Sequence, residues 1–344
     1  MIYEHRLYAP MVGAAMAAPV LLHALLGGRS RPVAVVLLVV IAMLGVSTVM
    51  RHGVWRDQVS LWSDVAAKSP HNFKAQNSLG AALQSRQRFD EAIRFHHRAL
   101  ELAGEGHPGT VQNLANALDA SGRFDEAIGL YRRILQVQPN DAKAHYNLGK
   151  TFHAQGALHK AETHYRKALS IEPRAESHDG LAHVLHLNGN LSAAIDHYRA
   201  ALKIDPGRAR TRHNFAVLLY RSGHVGEALE ELATASLRKP DWSEPLNVQA
   251  WILATHPDDA VRNPRRALSL ARSACALSAH RDATDLDTLA AALAADGQFN
   301  DAVETARQAL AMAEQGMAHD IRRRLDLYER GEAYRELPSG DGAD

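Results

Sequence analysis

One small residue recurs along this chain at a nearly constant interval. Ala92, Ala127, Ala161, Ala194 and Ala228 are separated by 35, 34, 33 and 34 positions. In the same frame, a Leu or Phe followed by Gly or Ala stands thirteen residues earlier, at Leu79-Gly80, Leu114-Ala115, Leu148-Gly149, Leu181-Ala182 and Phe215-Ala216. A proline stands twelve residues later, at Pro139, Pro173, Pro206 and Pro240. A repeat of this length describes a supersecondary unit that is too small to bury its own apolar side and buries it against the next copy. Between the two apolar signals lies turn text: Ser121-Gly122-Arg123-Phe124-Asp125, Asn188-Gly189-Asn190-Leu191-Ser192, Ser222-Gly223-His224-Val225-Gly226 and Asp296-Gly297-Gln298-Phe299-Asn300. Glycine supplies a left-handed helix stop, and the Asp, Ser or Asn that follows is expected to cap the next helix. Each proline ends a second helix, because it has no N–H to donate and biases its predecessor away from helix.

The third unit reads Leu148-Gly149-x-x-Phe152, then Ala161-x-x-x-Tyr165, Ala168 and Pro173. This phrase resembles the tetratricopeptide repeat, a helix-turn-helix of about 34 residues. The resemblance implies an all-α solenoid, a right-handed superhelix of helical hairpins, over residues 73–315 with about seven repeats. The small residues let helices approach closely while Leu and Tyr fill the gaps beside them. Farther on, Leu246 to Thr255 reads as a first helix and His256 to Pro264 as an enlarged turn. Arg265 to Leu277 is the matching second helix, and Leu289-Ala290 with Ala302, Ala306 and Ala309 forms another unit. Residues 316–336, with Arg322-Arg323-Arg324, read as a solvated capping helix, and residues 337–344 as a disordered tail.

The N-terminal stretch has a different character. Nineteen residues from Pro32 to Met50 carry no charge, and at 1.5 Å per residue they reach about 28 Å, close to a bilayer's hydrocarbon core. Met11 to Leu26 is a shorter uncharged run interrupted by Gly13, Pro19 and His23. Joined by Gly27-Gly28-Arg29-Ser30-Arg31, the two are expected to form a transmembrane helical hairpin within residues 1–50. A cleaved signal peptide fits poorly, since Glu4 lies in the leading segment and no Ala-x-Ala site follows. Residues 51–72 form a junction helix, with Trp55 expected at the membrane interface and Trp62 packed on the first repeat. Counting charges on the flanks leans toward a cytoplasmic repeat domain.

Composition excludes several functions. A single cysteine, Cys275, rules out an internal disulfide or a multi-cysteine metal site. Thirty-nine Lys and Arg against thirty-eight Asp and Glu leave a net charge of +1, which gives no footprint for nucleic acid. There is no phosphate loop, nucleophile elbow or zinc-protease helix. Among twenty histidines the best local pair, His183 and His186, has only Asp179 as a third ligand, so neither a metal nor another cofactor is expected.

Binding is therefore sought on the first helices, which line the inner wall of such a superhelix. The residue before the Leu-Gly or Phe-Ala pair is Asn113, Asn147 and Asn214 in three of five units, with Ser78 and Gly180 in the others. An amide donates and accepts, so a register of amides can hold an extended peptide backbone. It can equally bond adjacent helices or face water, and both readings stand. The register resembles the inner Asn ladder of the tetratricopeptide superhelix in protein O-linked N-acetylglucosamine transferase, which implies peptide binding and nothing about catalysis. Lys143, Tyr146, Lys150, His153, Asp179, His183, His186, Arg210, His213, Tyr220 and Arg221 share this wall, whose basic balance suits an acidic or C-terminal carboxylate ligand. A merely solvated face is the alternative.

A second resemblance rests on Tyr3-Glu4-His5-Arg6-Leu7-Tyr8-Ala9-Pro10, then Arg51, Trp55 and Leu61-Trp62. This run is similar to the end of the C-type glycosyltransferase-like membrane domain in proteins related to the transmembrane and tetratricopeptide repeat-containing O-mannosyltransferases. It implies a bacterial inner-membrane protein with periplasmic repeats, against the charge count, and a polytopic glycosyltransferase as partner or missing catalytic part. The expectation is a membrane-anchored, non-enzymatic scaffold that holds a protein or peptide ligand in its groove. The alternative is an accessory or truncated part of a protein O-glycosyltransferase system.

Overall fold

The computed structural model describes residues 57–104 and 107–336, and every regular element in them is an α-helix. The two candidate membrane segments and Trp55 lie outside the described residues; among those described, no helix is long and apolar enough to cross a membrane. The chain divides into two compact units, with the boundary between Leu130 and Tyr131.

In the first unit a junction helix, α1 (Gln58–Lys68), packs on α2 (Phe73–Ser85), which pairs with α3 (Phe89–Ala103). There follow α4 (Pro108–Ala120) and α5 (Phe124–Val137), the latter running through the boundary. In the second unit the pairs are α6 (Ala142–Ala154) with α7 (Leu158–Ile171), α8 (Ala175–Leu187) with α9 (Leu191–Ile204) and α10 (Ala209–Arg221) with α11 (Val225–Arg238). Then come α12 (Glu244–Thr255) with α13 (Pro264–Leu277), α14 (Ala283–Ala295) with α15 (Phe299–Met312), and a final α16 (Gln315–Glu329).

The periodic residues are the packing seam. Ala92, Ala127, Ala161, Ala194 and Ala228 are all fully buried, as are their later counterparts Ala267 and Ala302. Four residues beyond each of the first five sit His96, Tyr131, Tyr165, Tyr198 and Leu232, also buried. Each second helix ends two residues before its proline. Glu172, Asp205 and Lys239, the residues directly before Pro173, Pro206 and Pro240, have φ of −145°, −134° and −137°, the extended backbone that a following proline imposes. Some first helices start on polar caps: Asn72, Asp141 and Asp282 accept hydrogen bonds from the first-turn N–H groups of α2, α6 and α14, whereas α8, α10 and α12 have no side-chain cap.

Two expectations are corrected. Ser192 and Asn300 do not cap the second helices but lie inside their first turns, as Asp125 does. The cap positions fall to Ala157, Asn190, His224 and Gln298, of which only Asn190 makes a side-chain cap. Acidic residues in those first turns, such as Asp90, Glu91 and Asp301, act on the helix dipole instead. The terminal helix is not solvated throughout. Arg324 is buried together with Ile321 and Tyr328, and helix ends at Glu329, so residues 330–336 run on without regular structure.

Candidate peptide-binding wall

Within the second unit, first helices approach one another across successive pairs: α6 meets α8, α8 meets α10, α12 meets α14 and α14 meets α16. This places on neighbouring helices the side chains that the sequence assigns to one wall. On α6, Lys143 and Lys150 are exposed and Tyr146 is half-buried. The positions 143, 146, 147, 150 and 153 follow the three-and-four spacing of one helical face. His153 carries that face to α8, its ring centroid 4.9 Å from that of His183. Burial lowers the His153 pKa and the charge of His183 adds to the effect.

On α8, Asp179 is the acidic centre of the wall. Burial raises its pKa, while the nearby Thr211 hydroxyl and the charges of Arg208, His183 and Arg210 pull the other way. Arg208 is also held by Glu176 at 2.9 Å. Arg210 and Arg221, at the two ends of α10, are exposed and make no ion pair with another described residue. His213 leans on Trp242 with ring centroids 5.0 Å apart. Lys143, Arg210 and Arg221 thus present positive charge to solvent on α6 and α10, and Arg210 is close enough to Asp179 to act on its carboxyl.

The amide register has four different environments. In the first unit, the Asn113 amide donates to Asn77 Oδ1 at 3.2 Å, and His96 Nδ1 donates to the same oxygen at 2.9 Å. Asn113 therefore bonds an adjacent helix through one N–H. In the second unit, Asn147 is buried at 7% exposure, and Asn214 is half-buried. Gly180 has no side chain for a packing reason. A Cβ there would lie 2.7 Å from Tyr165 Cζ, and one on Gly149 would lie 2.9 Å from Tyr165 Cδ1, so both glycines make room for one tyrosine ring. Of the wall residues, Lys143, Lys150, Arg210 and Arg221 are exposed, and Asn214 and His183 are half-buried.

A second cluster, at the C-terminal end of the second unit, carries no local sequence signal. Asp287 of α14 and Arg324 of α16 form a buried bidentate pair at 3.0 and 2.6 Å. The Arg324 guanidinium lies 5.2 Å from the Trp251 ring centroid. A separation of 37 residues between the paired charges hides this contact from any reading of neighbouring positions. No group of three or more metal-ligating side chains occurs among the described residues.

Models of the tetratricopeptide repeat match residues 72–140, 113–179, 185–252 and 286–317. Together these stretches cover more than half of the chain. It belongs to the tetratricopeptide repeat family. None of the curated proteins matches it. Among solved structures, the tetratricopeptide repeat chain is similar to that of the APC/C hetero-tetramer Cut9-Hcn1, with 16% identity and a TM-score of 0.58 over 67% of this chain and 45% of that one. It is also similar to yeast Tom70, with 15% identity and a TM-score of 0.54 over 79% of this chain and 58% of that one. At these identities the likeness shows a shared fold, and this chain spans about half the length of these two.

Proposed function

We propose that this tetratricopeptide repeat chain is a non-catalytic scaffold that holds an acidic peptide, or an acidic segment of a partner protein, along the first helices α6, α8 and α10. The observation that carries the reading is the set of exposed cations, Lys143, Arg210 and Arg221, on first helices whose hydrophobic requirements are already met by the alanine seam. Side chains not needed for packing and sharing one sign are what a carboxylate-bearing ligand would use. One of the similar structures, Cut9-Hcn1, belongs to a hetero-tetramer, which supports a scaffold reading. Individual charge-assisted bonds contribute about 1.5–3 kcal/mol, and ordering of a flexible ligand offsets much of that, so micromolar affinity is expected.

The test is binding of the full chain to an array of random peptides, compared with the triple variant Lys143→Glu, Arg210→Glu, Arg221→Glu. Acidic peptides should be selected by the unaltered chain and lost by the variant, with thermal unfolding unchanged because all three side chains face solvent. Identical selection by both proteins would remove this wall as the binding surface.

A further inference from the structure

The segment after α16 is already bound as a ligand would be. Residues 332–336 have no regular structure, and they cross α12 toward α10. Glu336 makes three contacts there. Its backbone N–H donates to the carbonyl of Thr255 at 2.8 Å. Thr255 is the last residue of α12, where a carbonyl has no partner within its own helix. The Glu336 carboxylate accepts from Trp251 Nε1 at 2.5 Å through one oxygen and from the Tyr220 hydroxyl through the other. Two residues earlier, Tyr334 sets its ring 5.9 Å from that of Trp251, and Arg324 lies against both rings. Arg335, between them, points away to an exposed pairing with Asp259 at 3.7 Å. An aromatic residue and a glutamate two positions apart are thus read by side chains, and the backbone between them is read at one point.

The attachment is separable from the fold beneath it. α16 is held by Ala318, Ile321 and Tyr328 in the apolar seam and by the Arg324 to Asp287 pair. In the segment itself Gly331, Glu332, Ala333 and Arg335 are exposed, and only Tyr334 and Glu336 are half-buried. A segment with so little burial opens at far lower free energy than a seam helix.

We infer that Tyr220, Trp251 and the Thr255 carbonyl form a peptide site for the pattern aromatic, any residue, glutamate, and that residues 334–336 occupy it in cis until a partner segment of that pattern displaces them. This rests on the scaffold reading above and adds the ligand pattern and its control. The carboxylate is specified because both side-chain partners are donors. The aromatic is specified by the Trp251 and Arg324 surface, on which an aliphatic side chain loses the stacking and cation–π attraction. A tethered occupant competes at a high effective concentration, so a free peptide binds the intact chain far more weakly than a chain whose site is vacated.

The probe is a fluorescent peptide covering residues 330–338, acetylated and amidated so that no terminal charge is added. Its binding is measured to the full chain, to a chain stopped after Gly331, and to the full-length variant Tyr334→Ala, Glu336→Gln. Both altered chains should bind the probe about ten-fold or more tightly than the unaltered chain. A Glu336→Gln probe should lose about ten-fold, and so should the unaltered probe on the shortened chain carrying Tyr220→Phe and Trp251→Phe. If neither altered chain binds, or if both probes bind equally, the segment is a structural strap and the inference is overturned. The full-length variant decides the matter even where the shortened chain does not fold. Should the probe fail while the charge-reversed wall still loses acidic peptides, only the tail reading falls; the failure of both falls on the scaffold itself.

Discussion

At the scale of single residues, the repeats differ most where one position departs from a rule its counterparts obey. The short turn between paired helices takes one residue with positive φ, and Gly122, Gly156, Gly189, Gly223 and Gly297 supply it at φ of 75–81°. In the first repeat the position is Gln87, at φ 60°, with the same turn bonds: its N–H reaches Gln84 and that of Arg88 reaches Leu83. A side chain pays about 1–2 kcal/mol for that conformation, part of which glycine gives back in the unfolded chain. Gln87→Gly should therefore stabilise the protein by about 0.5–1 kcal/mol in urea unfolding; a destabilised variant would show that the glutamine side chain contributes more than its strain. Tyr165 illustrates the opposite dependence, since its ring requires glycine at both 149 and 180, and the second of these interrupts the amide register.

Within helix pairs, a contact repeats at a separation of 19 residues, linking a first helix to its own second helix. In two successive pairs it joins histidines: His145 to His164 at 3.1 Å and His178 to His197 at 2.9 Å, Nδ1 to Nδ1 in both. His145 Nε2 donates to the Pro139 carbonyl, so its Nδ1 is the acceptor and His164 must donate. Protonating His145 would set two N–H groups face to face. Burial, then the charges of His145 and Arg132, push His164 down to about 4 from the usual 6.5. Burial also lowers His145, His178 and His197, with Lys167 and Arg166 adding to the effect and Asp141 and Asp196 opposing it. The folded values lie below the unfolded ones, so the unfolded chain takes protons first as pH falls. Stability is full above pH 6.5 and drains toward about 4. The urea midpoint should drop between neutral and mildly acidic buffer, and drop less in His164→Asn, His197→Asn. A midpoint independent of pH across that window would show that these pairs do not govern acid sensitivity.

For the chain as a whole, the alanine interval and the prolines made the run of helical hairpins legible, including the enlarged turn between Thr255 and Pro264, because both signals are local and repeat. The buried Arg324 was not legible. In the sequence it belongs to three consecutive arginines, and nothing nearby distinguishes it from its exposed neighbours Arg322 and Arg323. Its place follows from Asp287, whose carboxyl is raised by burial and pulled back by this guanidinium. Arg324→Ala would leave a buried carboxylate unpaired and should lower stability by about 3–5 kcal/mol, with Asp287→Asn added to it restoring part of the loss. A loss below about 1 kcal/mol would mean that water reaches the carboxylate.

What the sequence determined by itself was the class of fold and the side of each hairpin that is buried, since small residues at a fixed interval and proline stops act through the backbone and nearest neighbours. The tertiary structure alone decided which polar residues remain available to a ligand: it tied Asn113 to Asn77, left Gly180 bare beneath Tyr165, and brought Glu336 to Tyr220 and Trp251. The physical reason is distance along the chain. A hydrogen bond between residues 116 positions apart depends on how every intervening helix packs, and no local spacing encodes that sum.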